Sequence, residues 1–230
     1  MSRVAIVNFA QGAWYPRGQA RLEQSLKDFN APVDFIGIKS HSEMAGCPPH
    51  KEVPYAFKTH ALMKVVNMKK YEIVIFLDSS IYAIKPIEPL LERIEKEGYY
   101  FEEAGHWTGT WCTDASLAKM GLTRDEAMKM PMLSAGFVGL RTDHYDAMSF
   151  LGQWHNYAQD GVTFKGPWTN ADKKASADPR CQGHRHDMSA ASVIANRMGL
   201  KLSTCGDFMA YSGPGYGKPK DTVVFLLCAA

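Results

Sequence analysis

The sequence predicts an α/β fold, a mainly parallel central sheet flanked by helices within one domain spanning residues 1–230. Short apolar runs rich in β-branched residues alternate with longer stretches of helical periodicity, the order expected of βαβ units. The most apolar of these runs is followed at once by polar residues, which sets reactive side chains at the carboxyl edge of the sheet. Open α/β sheets bind their ligands at that edge.

The elements follow in order. Val4, Ala5, Ile6, Val7, Asn8 and Phe9 read as a buried first strand. Gly12 and Pro16 break the pattern before a helix over 19–30, where Leu22, Leu26 and Phe29 share one face. A second strand covers 33–38, and a loop with Gly46, Pro48 and Pro49 leads to a helix over 55–68 striped by Ala61, Leu62, Val65 and Val66. The run 73–77 is the clearest buried strand and ends in Asp78, Ser79 and Ser80. A helix over 86–97 begins with proline in its first turn and stops at Gly98. A strand over 99–103, two short helices around Gly121 and a strand over 132–140 come next. In the last of these, Ser134, Ala135 and Gly136 permit close backbone approach. A helix over 145–159 precedes a polar loop, 160–183, long enough to carry function. His184, Arg185, His186 and Asp187 open a helix over 188–198, closed by Gly199. Late strands near 201–204 and 222–227 flank a glycine-rich turn at 213–217.

Composition removes several classes. With 46% apolar and 22% charged residues, the chain is neither disordered nor coiled-coil nor collagen-like. A net charge of +2 is too small to drive non-specific nucleic-acid binding, so a nucleic-acid partner is disfavoured. Cysteines at 47, 112, 181, 205 and 228 form no Cys-x-x-Cys pair, which fits reduced thiols in a cytoplasmic protein better than a disulfide framework. The longest apolar run, 223–230, is too short for a membrane span. The dinucleotide, P-loop and nucleophile-elbow motifs are all missing.

What remains is a set of polar residues at element ends. Asp78 with Ser79 and Ser80 suits a hard cation shared with substrate phosphates, or equally caps a turn. The cluster His184, Arg185, His186 and Asp187 joins two imidazoles, a guanidinium and a carboxylate at a helix start, where anions are favoured. The plain alternative is that Asp187 is the N-cap of a helix beginning at Met188. Lys58 is placed to reach a phosphate or to pair with Asp78. Arg17 and Arg21 are possible phosphate contacts, and Trp14, Trp107 and Trp111 fall in loops where aromatic faces can stack on a sugar or base.

In this order the segments 4–9, 71–84 and 132–142 resemble the GT-A fold glycosyltransferases, Rossmann-like nucleotide-diphospho-sugar transferases, and most of all their glycogenin-like branch. The resemblance implies a UDP-sugar donor and a divalent cation, Mn²⁺ or Mg²⁺. The first segment is similar to the strand that holds the nucleoside, which gives Asn8 and Phe9 contacts to base and ribose. The second is similar to the strand bearing an aspartate-x-aspartate metal motif, with Ser80 in place of the second acid, so Asp78 is the ligand that carries over. Ser80, His184, His186 or Asp207 would complete its shell. In a metal-independent variant Lys58, Arg185 and an imidazole would neutralise the diphosphate instead. The third segment is similar to an Asn-Ala-Gly strand, here Ser134, Ala135 and Gly136, lining the donor sugar. Ser79 would join the donor site, and Asp187, with His186 and Arg185, would act at the sugar's anomeric carbon. The acceptor, a glycan, a protein or a small molecule, would enter past Ser134 and the 160–183 loop, with Trp168 as a platform. Two other readings share the fold: a sugar-phosphate nucleotidylyltransferase, disfavoured by a first loop lacking Arg and Lys, and a nucleotide- or carbohydrate-binding module that has lost its metal site.

Overall fold

A computed structural model describes residues 2–213 and 217–228. The chain runs β1 (Val4–Phe9), α1 (Tyr15–Asp28), β2 (Val33–Ile38), α2 (Ala56–Val66), β3 (Ile73–Leu77), β4 (Ile81–Ala83), α3 (Glu88–Glu97), β5 (Tyr99–Trp107), α4 (Asp114–Lys119), α5 (Arg124–Ala127), β6 (Pro131–Arg141), α6 (Tyr145–Gln159), α7 (Asp187–Arg197), β7 (Met209–Ser212) and β8 (Phe225–Cys228). Five strands form the central sheet in the order β2-β1-β3-β6-β5. β1 lies parallel to β2 and β3, whereas β6 is antiparallel to both of its neighbours. The sheet is therefore mainly parallel, with β6 alone reversed.

Period-two alternation sends the strand side chains into two cores. Ala5, Val7, Phe9, Val74 and Phe76 pack with residues of α2, α6 and α7, among them Leu62, Trp154 and Ile194. Val4, Ile6, Ile73, Ile75 and Leu77 pack with α1, α3 and a second sheet through Leu22, Leu90 and Phe225.

That second sheet, β4-β8-β7, is one of several departures from the sequence expectations. The expected strand at 201–204 reduces to an isolated bridge between Ser203 and Glu102. The expected glycine-rich turn lies largely outside the described residues. α1 begins at Tyr15, before the expected start, because Pro16 occupies its first turn rather than breaking it. Gly18 then lets α1 press on β3's outlet, since a Cβ there would collide with the Ser79 carbonyl.

Candidate functional site

The reversal of β6 assembles the site. Leu77 at the end of β3 pairs with Phe137, and the Asp78 N–H donates to the Gly136 carbonyl at 2.8 Å. Ser134, Ala135 and Gly136 thus meet the carboxyl end of β3. Gly136 leaves room for the Asp78 carboxylate, because a Cβ would sit 2.8 Å from its Oδ2 and turn it aside. Lys58, in the first turn of α2, reaches the same point and is 3% exposed. Its ammonium donates to Asp78 Oδ2 at 3.1 Å and to the Ala135 carbonyl at 3.0 Å. Asp187, which opens α7, brings its Oδ2 to 3.0 Å from the same ammonium. This last contact is a fully buried ion pair, and no other donor reaches Asp187 Oδ2.

Two carboxylates share one ammonium, which leaves one negative charge in excess. Burial pulls the Lys58 pKa down, and Asp187 and Asp78 more than reverse it, so the ammonium titrates above its usual range. Burial lifts Asp187 to about 6, with Lys58 restraining the rise and Asp78 adding to it. Asp187 is not the N-cap foreseen from the sequence. It lies inside the helix, and the N-cap is His186, held at φ 45° and ψ −107° with no capping hydrogen bond. A non-glycine residue there stores of order 1–3 kcal/mol of strain.

Several expected contacts have other work. Asn8 is fully buried, its amide donating to the Leu77 carbonyl at 2.6 Å while its Oδ1 accepts from Gln19 at 2.9 Å and Ser79 at 3.2 Å. The single Ser79 hydroxyl proton is shared between that oxygen and the Phe9 carbonyl, which lies nearer at 2.9 Å. Asn8 and Ser79 therefore brace the ends of β1 and β3 from beneath. Phe9 is buried and stacks on Phe57 with centroids 4.5 Å apart. His184 uses both ring nitrogens on backbone, Nδ1 accepting from Thr113 N at 3.4 Å and Nε2 donating to the Thr163 carbonyl at 3.0 Å, so it has no lone pair left for a metal. Asp207 lies away from Asp78, 3.4 Å from the Tyr100 hydroxyl under the second sheet. Ser80 accepts from Arg21 through its carbonyl at 2.8 Å.

The sequence reading missed Tyr55. It precedes α2 with φ 63°, its ring centroid lies 5.2 Å from Lys58 Nζ, and it packs 5.6 Å from His186. Burial, with Asp187 next, pushes its phenol up to about 12. The signal available was its place three residues before Lys58. His186 donates from Nδ1 to the Phe164 carbonyl at 3.0 Å, and burial lowers its pKa to about 4, so it is neutral at pH 7 with Nε2 unprotonated.

No three His, Cys, Asp or Glu side chains among the described residues gather as a metal cage. Asp78 still fits a cation of another kind. Its side chain is 31% exposed, and only Oδ2 is engaged by Lys58. A single carboxylate oxygen suits Mg²⁺ or Mn²⁺ that takes its other ligands from water and substrate phosphate.

No protein-family model matches the chain, and no curated protein sequence does. Solved structures do. A crystal structure of a glycosyltransferase involved in glycosylation of the major capsid of PBCV-1 aligns with 98% of this chain and 94% of its own, at 10% identity and a TM-score of 0.53. The chain therefore shares the α/β fold of that glycosyltransferase, and nothing in the match singles out the glycogenin-like branch. No helix among the described residues is long and apolar enough to cross a membrane.

Proposed function

We propose that the chain is an enzyme that transfers a sugar from a nucleoside-diphosphate donor, a UDP-sugar in first place, to an acceptor hydroxyl. The observation that carries this reading is the buried Lys58 ammonium between Asp78 and Asp187, at the ligand-binding edge of a glycosyltransferase-like fold. Breaking the glycosidic bond adds charge to the leaving diphosphate, so the site must supply positive charge there. The excess negative charge of the cluster would repel a diphosphate on its own. Asp78, through Oδ1, would hold a divalent cation, which when bound neutralises the diphosphate as a Lewis acid.

Lys58 fixes the two carboxylates relative to each other. Asp187, held by Lys58 beside Asp78, would orient the donor sugar or stabilise positive charge at the anomeric carbon through its charge. Trp14 and Tyr15, 74% and 63% exposed at the start of α1, give the nucleoside an aromatic face. His186, neutral and a weak base, accepts a hydrogen bond from the acceptor hydroxyl rather than removing its proton.

Calorimetric titration of UDP, GDP and their common sugars, with Mn²⁺ or with EDTA, tests the reading on the wild type and Asp78→Ala. Binding of one nucleotide family that needs Mn²⁺ and is lost in Asp78→Ala is the expected result. Binding that survives EDTA moves the diphosphate contacts to Lys58 and Arg185. No nucleotide binding at all overturns the transferase assignment.

A further inference from the structure

We propose that the 160–186 loop builds a subsite for a pyranose ring, which makes the acceptor a glycan. As an acceptor site, it rests on the glycosyl-transfer reading above. Trp168 is half-exposed, yet its position is fixed from several sides. The Arg185 guanidinium lies 4.0 Å from its ring centroid and 3.6 Å from that of Trp111, a cation held between two indoles. Arg185 Nη1 donates to the Trp168 carbonyl at 2.8 Å, and His184 N donates to the Pro167 carbonyl at 3.0 Å. Gly183, at φ 152°, allows this packing, because a Cβ would collide with the Trp168 carbonyl. Asn170 ties the rest of the loop together, its side chain bonding Ser176 and Cys181 carbonyls at 2.9 and 3.0 Å. An indole immobilised while open to solvent has its ordering cost already met, which favours a ligand laid on it.

The surface leads to the reacting groups. Trp168 is stacked on His186 at 5.7 Å, and Tyr55 is 5.6 Å from His186 and 6.4 Å from Trp168. The three rings tilt by 27°, 30° and 34° to one another and so form one aromatic cluster. Asp187 follows His186 directly. A pyranose presents C–H hydrogens of slight positive charge, which suit the negative face of an indole. Its hydroxyls both donate and accept. His186 Nε2 offers the acceptor, and Arg185 Nε and Nη2, which have no protein partner among the described residues, offer donors. Peptide binding commonly uses a sheet edge or a groove for an extended or helical segment, and this loop contains no strand.

Saturation-transfer NMR on the full chain, without nucleotide, tests the subsite. The probes are methyl α- and β-pyranosides of glucose, galactose and mannose, and a peptide carrying Ser, Thr and Tyr. Transfer to the ring C–H protons of at least one pyranoside is expected, with binding about tenfold weaker in Trp168→Ala and largely kept in Trp168→Phe. Tyr145→Ala, on a tyrosine outside the site, is expected to bind as the wild type does. Should Trp168→Ala unfold, Arg185→Lys, which gives up the planar stack, gives the same reading through a weaker signal. The subsite is overturned if no pyranoside shows transfer, if Trp168→Ala binds as tightly as the wild type, or if only the peptide binds. Because no nucleotide is present, pyranoside binding in a chain that binds no UDP keeps the subsite and removes the transferase, and the reverse result does the opposite.

Discussion

Glu102 and Asp187 are buried to nearly the same degree, at 1% and 2% exposure, and burial raises the pKa of both. Around Glu102 every contact is a directed donor. The Tyr100 hydroxyl donates at 2.9 Å, Gly206 N at 2.7 Å, Met209 N at 3.3 Å and Phe208 N at 3.4 Å. These bonds tie β5 to the 206–209 segment that feeds the second sheet. Asp187 Oδ2 instead rests on a single shared ammonium, with no other donor in reach. Glu102 is thereby spent on holding two segments of the fold together, whereas the charge of Asp187 is balanced only by an ammonium that Asp78 also engages.

The largest effect is expected at the shared ammonium. Lys58→Met strands Asp187 beside Asp78 with no countercharge and should cost about 3–5 kcal/mol in urea unfolding. A loss below about 1 kcal/mol would mean that the pair is not buried as described. Asp187→Asn should lower sugar transfer by at least about a hundredfold while nucleotide affinity changes little, since it removes charge stabilisation at the reacting carbon. Equal turnover in the two proteins removes Asp187 from the chemistry. Glu102→Gln makes the opposite claim, a stability loss of about 1–3 kcal/mol with nucleotide binding intact. If that variant stays stable and loses nucleotide binding, the contrast between the two carboxylates collapses.

The smallest effect is in pH. Transfer should rise with pH through about 6 as Asp187 ionises, and the limb should vanish in Asp187→Asn. The same raised pKa means that the folded state holds a proton the unfolded chain has already lost. The stability this brings is present below Asp187's ordinary pKa and is gone once pH passes about 6, a trend readable as a falling midpoint of thermal unfolding.

The sequence made β1, β3 and β6 visible because each is a mainly apolar run buried on both faces, and Asp78, Lys58 and Asp187 stood at element ends where polarity changes abruptly. Their meeting was partly legible, since Lys58 was expected either to pair with Asp78 or to reach a phosphate. The third partner, Asp187, was expected at the donor site only through the resemblance, and its ion pair with Lys58 depends on how α7 packs on β6, which no local pattern encodes. β4 and β7 escaped notice for a similar reason. They are three and four residues long, and they join one sheet only through β8, which pairs Ile81 with Leu227 and Met209 with Phe225. Asn8 and Ser79 were assigned to the ligand because polar residues at strand ends look alike whether they face up into a cleft or down into a brace.

Gly136 leaves just enough room for the Asp78 carboxylate to stay turned toward Lys58. A methyl group at this position would rotate that carboxylate away without altering any charged residue. In a lineage of such proteins, the pairing of Asp78 with Lys58 would therefore drift through a change of a single carbon atom, unseen by any comparison that tracks only ionisable positions.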